Sequence, residues 1–198
     1  MATQYLSCAE TSKLVRIALK EAFPGVKFSV RSSTYSMGAS ISIGWTNGPN
    51  TAQVEAVANV FRGSYFDGGI DFHGSVFHLL DGKPVHFGAD SFHCSRHFSD
   101  SAVQAAIERV YRGHFSNFLE SGVDKPTPEQ YARDALWNVQ LAGMADDLQR
   151  EIGGVLHKTS DRLKVHKSAT AGRVFVTHDD GYSRTNGSGF SAVAHETL

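Results

Sequence analysis

Apolar residues recur at two different periods in the first hundred residues, and this predicts a mixed α and β unit. From Ser7 the apolar positions return every three or four residues as far as Ala22, as on one face of a helix. Ser7 and Glu10 have the spacing of a capping box, which indicates that the helix begins there. Pro24 and Gly25 end the helical pattern.

Two hairpins are predicted where the apolar period changes to two. Residues 26–30 and 41–45 each alternate between apolar and polar positions, which is typical of strands with one buried face. The alternating apolar residues are Val26, Phe28, Val30, Ile41, Ile43 and Trp45. The second hairpin spans residues 76–87, where Asp81 and Gly82 form a strong turn signal between two apolar runs.

Further elements are predicted around and after these hairpins. A helix over residues 51–61 lies between them, and a strand over residues 91–97 follows the second. Ser99 or Asp100 caps a helix that continues to about Leu119.

The second half predicts one long helix and a final hairpin. The helix starts at Pro128 and its apolar pattern continues to about Ile152. Residues 163–167 and 173–177 are the arms of the hairpin, and the Gly- and Ser-rich residues 181–198 are predicted to be a flexible tail.

The predicted fold class is α+β. A small antiparallel sheet has helices packed on one face, and a helical segment and a C-terminal β-hairpin follow. The predicted domain organisation is an α+β domain over residues 1–98, a helical and hairpin extension over 99–180 packed on it, and the tail.

Charge and cysteine content narrow the classes of function. The chain has 198 residues, with 19 Lys and Arg against 20 Asp and Glu, a formal net charge of -1. This balance excludes a strongly basic nucleic-acid coat and an acidic DNA mimic. Two cysteines far apart in sequence argue against a disulfide scaffold. With no secretory leader and no membrane-length apolar run, we expect a cytoplasmic protein without a membrane partner.

The sequence contains no coherent catalytic set. Phosphate-binding glycine loops and a Gly-x-Ser-x-Gly elbow are absent, so we expect no cofactor and favour a protein that is not an enzyme. Five of the ten histidines lie between His73 and His97, which leaves a metal-dependent hydrolase as an alternative. Its candidate ligands are His93, Cys94 and His97, although a strand would place Cys94 on the face opposite the two imidazoles.

A basic stretch over residues 155–175 supports a second alternative. Within this stretch, five basic residues are opposed by a single acidic residue, Asp161. Such a patch could follow a nucleic-acid backbone, or it could be a solvated edge strand on which lysines discourage aggregation. The five are Lys158, Arg162, Lys164, Lys167 and Arg173.

The candidate partner-binding residues are Arg31, Tyr35 and Arg96. Arginine and aromatic side chains frequently anchor protein interfaces, and Tyr35 lies in the polar connection of the first hairpin. Trp45 is predicted to be a core residue instead, because it lies on the same face of its strand as Ile41 and Ile43.

Short motifs between residues 5 and 99 mark turns and strands rather than catalytic groups. They are FPGVKFSVR at 23–31, WTNGP at 45–49, FDG at 66–68 with Asp71, FGAD at 87–90, and Ser95-Arg96. This set resembles one of the large polyvalent protein-associated domain families of phages, plasmids and other mobile elements. The resemblance carries no active-site residue with it.

The resemblance implies a biological context. We expect a non-enzymatic interaction protein of a phage or mobile element, present in the host cytoplasm as a monomer or homodimer. A small protein of this kind would fit an anti-CRISPR or anti-restriction inhibitor that binds a host defence protein complex. Nucleic acid remains the alternative partner.

Overall fold

The computed structural model describes residues 2–36, 38–161 and 165–182. Helices and strands alternate along these ranges. The strands are β1 Gln4–Leu6, β2 Ser29–Tyr35, β3 Gly38–Thr46, β4 Ser64–Asp67, β5 Phe72–Leu80, β6 Lys83–Phe87, β7 Ser91–His97 and β8 Val174–Asp179. The helices are α1 Cys8–Ala22, α2 Thr51–Ala58, α3 Asp100–Gly113, α4 Phe115–Ser121, α5 Pro128–Ala132 and α6 Leu148–Lys158, with 3-10 turns at Asn59–Phe61 and Ala171–Arg173.

The chain divides into two compact units. Among the described residues, the first unit combines residues 2–45 and 51–95 with 165–182. The second unit combines Thr46–Asn50 with residues 96–161.

The first unit contains a five-stranded and a three-stranded sheet. In the larger sheet the order is β1-β6-β5-β4, and β8 pairs with β5 as well. Strand β1 runs parallel to β6, whereas β4, β6 and β8 are each antiparallel to β5. The smaller sheet has the order β2-β3-β7, so β2 and β7 are its edges.

Both sheets contribute to one hydrophobic core together with α1 and α2. The capping box of Ser7 and Glu10 is formed as predicted, and it starts α1 with the apolar stripe facing inward. Its fully or almost fully buried residues are Val15, Ala18, Leu19 and Ala22. Trp45 is 2% exposed, so its predicted core position is confirmed.

Two glycines allow close approach inside the larger sheet. A Cβ on Gly63 would lie 1.8 Å from the carbonyl oxygen of Phe87, and one on Gly74 would lie 2.1 Å from the ring of Tyr65. Neither site can hold a larger residue without displacing its neighbour.

The second unit packs α3, α4, α5 and α6 around a separate core. This core holds Val103, Ala106, Ile107, Val110, Phe118, Leu136, Leu141, Leu148, Ile152 and Leu156. The helix predicted from Ser99 ends earlier than expected, since α3 stops at Gly113 and α4 follows.

The predicted long helix from Pro128 to Ile152 is wrong. The structure has two helices there, α5 and α6, joined by irregular backbone. Asp134 and Asn138 adopt left-handed φ angles of 56° and 66°, which a continuing helix excludes. The carboxylate of Asp147 accepts a hydrogen bond from the Arg150 N–H at 3.0 Å and caps the new helix.

The predicted C-terminal hairpin is also corrected. Strand β8 pairs with β5, from Val76 opposite Asp179 to Leu80 opposite Val174. Residues 165–167 of the predicted first arm are not a strand, and its residues 163 and 164 lie outside the described residues. The predicted flexible tail likewise falls outside them from residue 183 onwards.

The remaining strand predictions agree with the structure in type and order. The hairpins β2–β3 and β5–β6 and the strand β7 are confirmed. Strand β2 lies further along the chain than predicted, because it spans Ser29–Tyr35 and not residues 26–30, so Tyr35 belongs to the strand and not to the connection. The short strands β1 and β4 were not predicted, because three or four residues are too few to show a period. The α+β class is confirmed.

Candidate binding surfaces

The outer face of the five-stranded sheet carries exposed aromatic rings in pairs with histidines. On β1 and β6, the rings of Tyr5 and His86 stack with centroids 5.6 Å apart and planes 18° apart. On β5 and β8, Phe77 and His178 stack at 4.5 Å and 13°. Tyr5 is 65% exposed and Phe77 is 37% exposed. Exposed rings of this size on a folded protein commonly mark an interaction surface.

Strand register places these two ring pairs on one line across the sheet. Tyr5 lies opposite His86, and Phe77 lies opposite His178. The last paired residues of β5 and β6 at this end are His78 and Val85, and the next residues along each strand are Phe77 and His86. The four rings therefore form a row that crosses β1, β6, β5 and β8 in turn, which we call the ring row.

Other rings extend the same face. Phe66 and His73 lie opposite each other on β4 and β5, with centroids 4.9 Å apart. Phe175, opposite Leu79 on β8, is 60% exposed.

Carboxylates are absent from the outward positions of these strands among the described residues. Asp67 and Asp179 are buried on the other side, at 0% and 6% exposure. Asp81, in the turn between β5 and β6, accepts two hydrogen bonds from the guanidinium of Arg173, one of them at 2.7 Å to Nε. These bonds lower the pKa of the Asp81 carboxyl. Among the described residues, the ionisable groups at the outward positions of these strands are imidazoles and the Tyr5 phenol.

Behind the ring row, on the inner face of the sheet, β5 carries a buried histidine. His78 is 2% exposed, and its ring makes an edge contact with Phe87 at 5.0 Å. Neither ring nitrogen has a hydrogen-bond partner of ordinary geometry. Burial lowers the pKa of His78 to about 4, although the backbone at Val76 acts in the opposite direction. His78 is therefore neutral at physiological pH and belongs to the core.

The three-stranded sheet presents a different surface. Residues 31–35 of β2 are all exposed, and Tyr35 is 56% exposed. The sequence-predicted residues Arg31 and Tyr35 lie on this edge strand with equal parity, so they share a face. Two side chains of α1 reach this strand: Arg16 donates a hydrogen bond to the Val30 carbonyl at 2.7 Å, and the Cys8 thiol lies 4.0 Å from the Ser33 carbonyl oxygen.

Arg96, the third predicted partner-binding residue, has its guanidinium occupied within the second unit. It donates hydrogen bonds of 2.7 to 3.0 Å to the carbonyls of Asn47, Gly48, Leu156 and Thr159. Burial lowers its pKa, while the neighbouring Asp161 opposes that shift. Through these bonds Arg96 joins the residue 46–50 segment to the C-terminal end of α6.

The alternative metal ligands do not converge. His93 and His97 are exposed on one face of β7, whereas Cys94 is half-buried on the other, as the period of a strand predicts. Burial raises the pKa of the Cys94 thiol to about 11, so it is not a thiolate nucleophile. Within residues 2–36, 38–161 and 165–182, no three metal-ligating side chains form a cluster.

The basic residues of the nucleic-acid alternative are divided between the units. Lys158 ends α6 in the second unit, whereas Lys167 and Arg173 belong to the first. Arg162 and Lys164 lie outside the described residues. Arg173 is already paired to Asp81, and a nucleic-acid role for these residues stays a prediction.

The second unit also contains two adjacent hollows between α3 and α6. Their volumes are about 240 and 470 Å³. Arg109 and Thr159 line both of them. The larger hollow contains Arg150 and Lys158 but also Asp146 and Glu151, so its charges are mixed.

Comparison with known proteins gives one significant match, to a protein-family model. Residues 6–99 match the family model of large polyvalent protein associated domain 29. The resemblance drawn from the motifs is confirmed over this segment. No curated protein and no solved structure shows a significant match to the chain. None of the helices within the described ranges is long and apolar enough to cross a membrane.

The domain 29 match does not include every strand of the larger sheet. Strand β8 lies at Val174–Asp179, beyond residue 99, yet it pairs along β5 in the middle of the sheet. It supplies His178 to the ring row. This unit is therefore assembled from the domain 29 segment and a strand from outside it.

Sequence reasoning missed the ring row. In β5, FHGSVFHLL, apolar residues occupy both parities, so the outward-facing Phe77 looked like part of one buried run. The aromatic residue and the histidine of each pair in the row lie far apart in sequence, so only strand register brings them together.

Proposed function

We propose that this protein is a non-enzymatic interaction protein of a phage or other mobile element, and that it inhibits a host defence complex of the anti-CRISPR or anti-restriction kind by direct binding. The domain 29 match over residues 6–99 supports the mobile-element context. The observation that carries the binding proposal is the exposed edge of β2.

Edge strands are natural templates for a partner strand. Strand β2 pairs only with β3 in the described part of the chain, and residues 31–35 are exposed along its length. An extended segment of another protein can add to such an edge through main-chain hydrogen bonds. The paired residues of β2 and β3 contain neither a proline nor a bulge, either of which would hinder the addition of a further strand.

Arg31 and Tyr35 would give this docking its specificity. They lie four residues apart on one strand, which corresponds to about 13 Å. Arg31 forms no ion pair with any described residue, so its guanidinium is available for a carboxylate. Tyr35 offers a large ring at low entropic cost. We infer an extended partner segment with an acidic residue placed against Arg31.

The first experiment tests the backbone of the edge. Val30 presents its carbonyl to Arg16 on the open side of β2, and Thr34 has the same parity. The Thr34 N–H therefore points away from β3, and Thr34→Pro removes an outward donor while leaving the hairpin ladder intact.

Thr34→Pro and Arg31→Glu should each lose protection of phage in cells that carry an active restriction or CRISPR system, measured by efficiency of plaquing. The same variants should lose the defence subunits recovered with the wild-type protein on affinity purification. Lys27→Glu reverses a charge just before β2 and is the matched control, which should retain both. A wild-type protein that neither protects phage nor recovers a defence subunit would exclude the proposal.

A further inference from the structure

We propose that the outer face of the five-stranded sheet is the contact surface of a weak, two-fold symmetric homodimer, in which the ring row of one copy packs against the ring row of a second copy. This surface shares no residue with the β2 edge. Self-association through the larger sheet is therefore independent of the docking proposed for β2.

The outer face lacks a covering layer among the described residues, although it carries apolar rings. The inner face of the same sheet contributes to the core that α1 and α2 complete. On the outer face, Tyr5 stays 65% exposed and Phe175 stays 60% exposed. A sheet with apolar side chains on both faces needs a layer against each of them. A second sheet packed face to face, about 10 Å away, is a common form of such a layer.

The charge of the face suits a second copy of the same chain. A symmetric interface brings each group of the patch close to the same groups of the other copy, so a patch of one charge sign repels itself. The outward positions of these strands carry no carboxylate, ammonium or guanidinium group among the described residues. At the margin, Asp81 and Arg173 neutralise each other in an ion pair. The described face therefore has no like charges to oppose its own copy.

The net charge of the whole chain also permits self-association. With 19 basic against 20 acidic residues, the formal net charge is -1. Two copies therefore approach each other with little long-range repulsion, and a net charge near zero favours association.

The exposed area of the face is sufficient for a weak dimer. Its aromatic side chains Tyr5, Phe66, Phe77 and Phe175 are 65%, 45%, 37% and 60% exposed. At about 200 Å² for a fully exposed ring side chain, they leave on the order of 400 Å² uncovered on each copy. The neighbouring histidines bring the area that two copies can bury to about 1,000 Å², near the lower limit for a specific interface. We therefore expect a dissociation constant on the order of 10 μM.

Phe77 occupies the middle of this surface. It lies on β5, which pairs with β6 on one side and with β4 and β8 on the other. Its ring is held in place by stacking on His178, with centroids 4.5 Å apart. A two-fold axis through the centre of the patch brings Phe77 close to the same residue of the second copy. A charge introduced at this position would therefore meet an identical charge across the interface.

Sedimentation of the full chain between about 1 and 100 μM protein tests the dimer, because this range brackets the expected dissociation constant. We expect the wild type to be mostly monomer at the lower limit and mostly dimer at the upper. Phe77→Lys should raise the dissociation constant at least about 10-fold through like-charge repulsion. An equal mixture of Phe77→Lys and Phe77→Glu should contain more dimer than either variant alone, because opposite charges then meet.

Two further variants separate this effect from a general loss of structure. Phe115→Lys makes the same change at a 49% exposed phenylalanine of the second unit and should leave the dimer unchanged. Tyr5→Ala removes a 65% exposed ring without adding a charge and should weaken the dimer several-fold. Circular dichroism checks that each variant keeps the wild-type fold.

Three results would overturn the proposal. A wild type that stays monomeric at about 100 μM would mean that a second copy does not cover the face. Equal dissociation constants for Phe77→Lys and the wild type would place the contact elsewhere. A dimer that Thr34→Pro abolishes and Phe77→Lys leaves intact would place it at the β2 edge. Phage protection plays no part in this readout, so failure here and failure of the proposed defence binding are distinguishable.

Discussion

The two sheets of the first unit turn their inner faces to one hydrophobic core, yet their outer faces differ in almost every side chain. The five-stranded sheet exposes Tyr5, Phe77 and Phe175 together with histidines. The three-stranded sheet exposes serines, Arg31 and Tyr35 on its edge strand β2, and His93 and His97 on β7, but none of its described phenylalanines is exposed.

The two outer faces are therefore suited to binding by different physical means. A serine-covered sheet is soluble and offers little apolar area, so what it can give a partner is the hydrogen-bonding edge of its backbone. A ring-covered sheet leaves apolar area in water, and covering that area with a partner is favourable. Four substitutions test this comparison, from the largest expected effect to the smallest.

Gly63→Ala should have the largest effect on the stability of the first unit, because it disturbs the packing of the larger sheet. The added methyl group would lie 1.8 Å from the Phe87 carbonyl oxygen, so the backbone must move. We expect a loss of at least about 4 kcal/mol in the free energy of unfolding, measured by urea denaturation. Gly113→Ala is the matched control, because no atom lies within 4 Å of its new methyl group. A Gly63→Ala protein of normal stability would contradict the packing described for this sheet.

Arg96→Ala should show that the half-buried arginine of the smaller sheet is structural. The substitution leaves four carbonyl groups without their charged donor. We expect a loss of about 3 kcal/mol, seen as a lower denaturant midpoint for the second unit. Arg109→Ala, an exposed arginine on α3, should change stability by less than about 0.5 kcal/mol. Equal stability of both variants would return Arg96 to the list of partner-binding candidates.

Acid should weaken the larger sheet through His78. Its pKa is about 4 in the folded protein, below the usual 6.5, so the unfolded chain binds the proton more readily. The contribution of His78 to stability is complete above pH 6.5 and decreases by about 3 kcal/mol as the pH falls towards 4. Unfolding in urea at several pH values measures this slope.

His78→Leu provides the comparison for that slope. It has a similar volume, and it removes two buried nitrogens that lack partners. The variant should be at least as stable as the wild type at pH 7 and should lose less stability on acidification. A slope identical to that of the wild type would mean that His78 is not the titrating group.

Phe175→Ser should have the smallest effect, because it gives the ring-covered sheet one side chain typical of the other sheet. Phe175 is 60% exposed, so we expect a change in unfolding free energy within about 1 kcal/mol. Phe87→Ser, at a position with 0% exposure on the same sheet, should cost several times as much, about 4 kcal/mol. Similar losses for the two would mean that the outer face is covered in the folded protein.

Particular elements show how far the sequence could predict this structure. The capping box of Ser7 and Glu10, the turn at Asp81-Gly82 and the parity of Trp45 are local signals, and each is confirmed. The long helix over 128–152 failed because its apolar period continues through Asp134 and Asn138, where the backbone turns. The prediction that Arg31 and Tyr35 are exposed is correct. The structural role of Arg96 could not be predicted, because the four carbonyl groups that it binds come together only in the folded chain.

The sequence by itself determined which residues face a core, where most helices begin and which segment resembles the large polyvalent protein-associated domain families. Tertiary structure alone decided that β8 joins β5 about a hundred residues earlier, and therefore that Phe77 meets His178. The physical reason is that side-chain period is a property of one strand, whereas the neighbour of a strand is chosen by hydrogen bonds and packing between distant segments. The ring row exists only once those neighbours are fixed.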